Sequence, residues 1–165
     1  AGRGYGLSVA VDRVAVIAFA KAVLTGACAA AAPFLVLTVP IGLAALFDFG
    51  DPMGGLNGLL IAAAPLIVTL PIVLGASILI GLPLTYLLSR AGRDQGELYV
   101  VAGLFFGGVL PVAISILAGQ AADALFYFAI PGSLGGAVTG WSWGRHRDAL
   151  NLARHAEQAD LEPTI

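Results

Sequence analysis

Residues 130–148 read "IPGSLGGAVTGWSWGRHRD", an apolar segment with glycine at 132, 136, 140 and 144, ending in two tryptophans and two arginines. A four-residue step overshoots one α-helical turn by about 40°. Gly132, Gly136, Gly140 and Gly144 therefore form a stripe that wraps slowly around one helix, a GxxxG ladder. Small residues on such a stripe let two helix backbones approach closely. Trp141, Trp143, Arg145 and Arg147 mark where that helix leaves hydrocarbon, because amphipathic rings and cations favour the headgroup layer.

The rest of the chain agrees with a membrane reading. Its 165 residues are 59% hydrophobic and 11% charged, with a mean hydropathy of +0.94. A soluble domain carries about 25% charge. Residues 22–47, 58–88, 98–118 and 124–144 contain no Asp, Glu, Lys, Arg or His. Each run is long enough to cross a ~30 Å hydrocarbon core, which takes about 20 residues. The expected fold is an all-α integral membrane protein, an up-down bundle of four transmembrane helices spanning residues 22–144. Residues 1–21 are read as an interfacial N-terminal helix and 145–165 as a cytoplasmic C-terminal helix. The apolar run from Val14 continues too far for a cleavable signal and contains Lys21.

Charge sets the orientation. Arg3, Arg13, Lys21, Arg90, Arg93, Arg145, Arg147 and Arg154 all fall on one side of this topology, while the opposite loops hold only Asp48, Asp51 and Asp123. The positive-inside rule places both termini in the cytoplasm. The composition is that of a bacterial inner-membrane protein. Lys21 snorkels to the headgroups, and Arg145–His146–Arg147 forms a basic patch for anionic lipid. Lys21, Trp141, Trp143, Arg145 and Arg147 are thus expected to contact headgroups or a partner.

Pro33 and Pro40 fall in the first span, and Pro65, Pro71 and Pro83 in the second. Interior prolines remove a backbone hydrogen bond and kink a helix. In "RDQGEL", 93–98, Asp94 and Glu97 suggest a capped helix start after a tight hairpin. Matching depths from the cytoplasmic side sets Gly103 and Gly107 against Gly136 and Gly140. Small residues concentrate in the cytoplasmic half of all four spans, so the bundle is expected to be tight there and splayed outside. Gly108 and Gly135 fall off these pairings and are left for a partner helix. Gly58 is expected to tolerate leucine.

Reactive chemistry is sparse. Buried ionisable groups mark ion and proton work, and the four runs contain none. Cys28 is the single cysteine, so no internal disulfide forms. His146 and His155 stand nine residues apart, a poor spacing for one metal. The serines and threonines of the spans are expected to bond their own helices. No cofactor, metal or nucleic acid is expected. The first functional reading is a non-catalytic accessory or structural subunit of a larger inner-membrane complex, acting by packing on a membrane-protein partner or on a second copy. The alternative is a small channel or facilitator for a neutral or apolar solute, marked by a polar cavity along Thr38, Thr69 and Ser77. An intramembrane enzyme stands third, and would need Arg90, Asp94, Glu97 and His146 around one pocket.

Overall fold

The computed structural model describes residues 4–47, 53–93, 95–117, 119 and 125–161; side chains are described for these residues except 4–12, 125, 126, 160 and 161. Among the described residues every regular element is helical. The first arm is one helix, α1 (Gly4–Leu46). The second runs through α2 (Gly54–Ala76), a π-helical turn π1 (Ser77–Gly81) and α3 (Leu82–Arg90). The third joins α4 (Gly96–Leu104), π2 (Phe105–Val109) and α5 (Leu110–Leu117). The fourth comprises π3 (Leu125–Ala129) and α6 (Ile130–Leu161).

Three stretches are long and apolar enough to cross a membrane: Arg13–Leu46, Gly54–Arg90 and Gly96–Leu117. The sequence reading expects four. The fourth arm falls short because glycine, serine and threonine dilute its apolar half and α6 runs on into the charged tail. The expected break between an N-terminal helix and the first span is also absent, since α1 is continuous through Asp12 and Arg13.

Polar caps explain few of the helix ends. Alpha-3 stops in a Schellman turn. Gly92 adopts φ +66°, its N–H donates to Ser89 O at 3.3 Å, and Arg93 N–H donates to Leu88 O at 3.1 Å. Asp94 lies outside the described residues. The Gln95 side chain that precedes α4 makes no capping bond. Asp148 of α6 does the work instead, its Oδ1 accepting from Gly96 N–H at 3.0 Å. A carboxylate suits the positive end of a helix.

Prolines act in two ways. Pro33, Pro40, Pro65 and Pro71 sit inside continuous α-helix. Pro83, Pro111 and Pro131 each stand two residues beyond a π turn. In each of these three cases the missing proline N–H is the one that an α-helix would direct to the middle residue of the turn: Leu79, Gly107 or Tyr127. The turn widens, and the N–H just before the proline reaches back five residues, as Leu82 does to Ser77 O and Leu110 to Phe105 O. These are π-bulges with a proline cause.

The arms stand in the order second, first, fourth, third. Alpha-1 packs on α2 and on α6, and α6 packs on α4 and π2. The core is small: Ala22, Val23, Ala27, Ala30, Ala31 and Tyr99 are the buried hydrophobic residues, and no buried residue is polar or charged, among those described. Bulky aliphatic side chains face outward, with Leu79 at 77% exposure and Val36 at 73%.

Glycine decides the close contacts. Gly103 meets Gly136, and Gly107 meets Gly132. In each pair the place of a Cβ on one glycine is filled by the carbonyl oxygen of the other. Gly140 meets Tyr99 O, and Gly144 meets Gly96. The third and fourth arms are antiparallel neighbours, one helical turn away from the register that depth counting gives. Depth counting starts the third arm at Leu98, whereas α4 begins at Gly96 and already faces Gly144 there.

Three further expectations are corrected. Gly135 lies against Ala30 and Gly26, and Gly108 against Ser133, so this chain covers both. Gly58 is buried on Gly42, whose oxygen lies 2.5 Å from where its Cβ would be, so leucine does not fit there. That contact also makes the end opposite the α3–α4 loop tight between the first two arms. Farther along the second arm Gly75 has nothing within 4 Å of its Cβ position.

Candidate functional site: an apolar chamber between the arms

The second and third arms are consecutive in sequence, yet they do not pack along each other. Between them, backed by α1 and α6, is a chamber of about 840 Å³. That volume falls in the ~300–1,000 Å³ range of small-molecule sites. Its lining on the fourth arm extends from Tyr127 to Trp143, roughly 24 Å of helix at 1.5 Å per residue. The chamber is therefore a slot running along the arms.

The bulges shape its walls. Ser77, Ile80 and Gly81 of π1, Phe106 and Gly107 of π2, and Tyr127 and Phe128 of π3 all line it. A widened turn bends an arm and moves its face away from the neighbour. Prolines thus hold the second and third arms off each other, while glycines draw the third and fourth together.

Among the described residues the wall carries no Asp, Glu, Lys, Arg, His or Cys. Its polar groups are largely committed. Thr69 donates to Ala27 O at 3.3 Å, Thr85 to Gly81 O at 2.8 Å and Thr139 to Gly135 O at 2.7 Å. Trp143 Nε1 donates to Thr85 Oγ1 at 3.0 Å. Phe19 meets the Trp143 ring edge-on, with centroids 5.8 Å apart. At the other end Phe34 stacks on Tyr127 at 6.4 Å. The Trp143–Thr85 bond ties the fourth arm to the second at the loop end and forms a floor.

The expected site residues divide. Gly103, Gly107, Gly132, Gly136 and Gly140 combine packing with chamber lining, while Gly144 packs against Gly96 and does not line the chamber. Trp143 turns inward instead of toward headgroups. Trp141 faces outward, 54% exposed, with the Arg145 guanidinium 5.1 Å over its ring, a cation–π distance. Lys21 is exposed and Arg147 half-buried. Of the three residues that mark a polar cavity, Thr69 and Ser77 line the chamber. Thr38 does not, and its Oγ1 is buried without a hydrogen-bond partner.

Arg90, Glu97 and His146 do not line the chamber, and Asp94 lies outside the described residues. Arg90 donates to Tyr86 Oη at 3.3 Å, and His146 sits beside the Trp143 ring. No group of three or more metal-ligating side chains occurs among the described residues. A cavity beside Thr69 and Ser77 is what the channel alternative expects, but the wall is apolar where that reading expects a polar one. Comparison with protein-family models, curated proteins and solved structures finds no match.

Proposed function

We propose that the chain is an integral membrane protein that binds a neutral, apolar molecule in the chamber and exchanges it with the bilayer between its second and third arms. The single observation that carries this is the chamber, about 840 Å³ with no Asp, Glu, Lys, Arg, His or Cys among its described wall residues. Membrane insertion rests on three apolar helices of spanning length and on aliphatic side chains outside with alanine inside. A bilayer solvates such a surface and water does not. The fourth crossing, cytoplasmic termini and a bacterial inner membrane complete the reading; eight basic residues on one side support the orientation. The protein is non-catalytic in this reading, because the walls bring no acid, base or nucleophile pair together.

The accessory-subunit reading keeps one supporting observation. Residues 152–159 of α6 are all exposed, Leu152 by 72%. Gly108 and Gly135, which that reading offers to a partner helix, are covered within the chain.

Trp143 reports on the chamber. In a Trp141→Phe background it is the sole tryptophan. A bromoalkane should quench it saturably in detergent. Ala76→Phe, on the chamber wall, should abolish the saturable part; Leu79→Phe, facing outward, should not. Quenching that merely follows the bulk bromoalkane concentration in every variant would refute the proposal.

A further inference from the structure

We infer that the occupant is a linear apolar chain longer than one membrane leaflet, seated with its polar end at the Trp143 floor. This rests on the chamber reading and goes beyond it by fixing the ligand's shape and direction. The lining spans roughly 24 Å of helix, whereas one leaflet is about half of the ~30 Å hydrocarbon core. A compact solute leaves most of that length empty, and an acyl chain of leaflet depth stops partway. Only an extended chain that passes the midplane covers both ends.

The direction follows from the wall. Thr85, Thr139, Tyr99 and Trp143 stand toward the floor, and Ser77 lies eight residues before Thr85 on the second arm. The far end offers Thr69, already donating to Ala27 O, with Ser115 and Tyr127. Near the floor the hydrogens of Thr85, Thr139 and Trp143 are committed to protein acceptors. Thr139 Oγ1 accepts no hydrogen bond among the described residues, so it is the floor group left to take the hydrogen of an alcohol. The floor also selects against a partner helix. A helix crossing the membrane through the chamber must break the Trp143–Thr85 bond, whereas a chain end stops on it.

The test uses the purified full chain and an equimolar mixture of linear alcohols shorter and longer than one leaflet, with bound species read by native mass spectrometry. The long alcohols should be retained several-fold over the short ones, and Ala76→Phe should remove that preference. In the Trp141→Phe background, a long alcohol brominated beside its hydroxyl should quench Trp143 several-fold more than one brominated at its far end. Equal retention of short and long alcohols overturns the length. Stronger quenching from the far-end bromine overturns the direction. Retention of no alcohol, or a stoichiometric protein partner in its place, overturns the chamber reading as well.

Discussion

At Gly136 the nearest atom to an added Cβ is the carbonyl oxygen of Gly103, and at Gly75 there is none within 4 Å. The two glycines therefore predict opposite results. Gly136→Ala should force two backbones apart, at a cost of at least the ~1–3 kcal/mol typical of overpacking. Gly75→Ala should stabilise by about 0.4–1 kcal/mol, through a less flexible unfolded chain. Thermal unfolding in one detergent checks both, and equal melting temperatures would contradict the packing. Asp148 offers a second residue-scale prediction. Asp148→Ala leaves Gly96 N–H without its acceptor, and stability should fall by roughly 1 kcal/mol, as for other N-cap losses. The sequence suggested Asp94 because it stands next to the helix in the chain. The cap actually present lies 52 residues away, and no local pattern reveals it.

Each π turn converts a proline into a bend at the scale of the element. Restoring the N–H with Pro83→Ala should let π1 relax to α-helix. Removing the extra residue turns α3 by about 100° about its axis and carries Thr85 away from Trp143. A cross-link by a short bis-methanethiosulfonate between Thr85→Cys and Trp143→Cys, whose Cβ atoms are too far apart for a direct disulfide, should form readily in a Cys28→Ser background with Pro83 present. It should drop several-fold with Pro83→Ala, read by gel mobility under non-reducing conditions. Unchanged cross-linking would separate the bulge from the proline. Sequence shows where the prolines are, yet Pro65 and Pro71 leave α2 regular. Which proline widens a turn depends on its neighbours.

The whole molecule is an open row of arms closed at one end by a side-chain bridge. Anything that binds the folded chamber stabilises it by mass action, about 2.7 kcal/mol at a hundredfold excess over Kd. A saturating long-chain alcohol should therefore raise the melting temperature of the delipidated protein and leave Ala76→Phe unmoved. Orientation is testable at the same scale. Ser89→Cys, exposed beside the α3–α4 loop, should react with an impermeant maleimide only after the membrane is opened, in a Cys28→Ser background. Labelling of intact cells would reverse the assigned sidedness.

The sequence by itself determined the helical class, the apolar runs and the closeness of the third and fourth arms. Hydropathy and small-residue spacing act locally along a chain, and both can be read from it. The tertiary structure decided the register of that pair, the partners of Gly58, Gly108 and Gly135, and the inward turn of Trp143. It also decided that the second and third arms stand apart around a chamber. Those outcomes depend on which helix lies beside which, and a run of apolar residues looks the same whether it faces lipid, a neighbour or an empty slot.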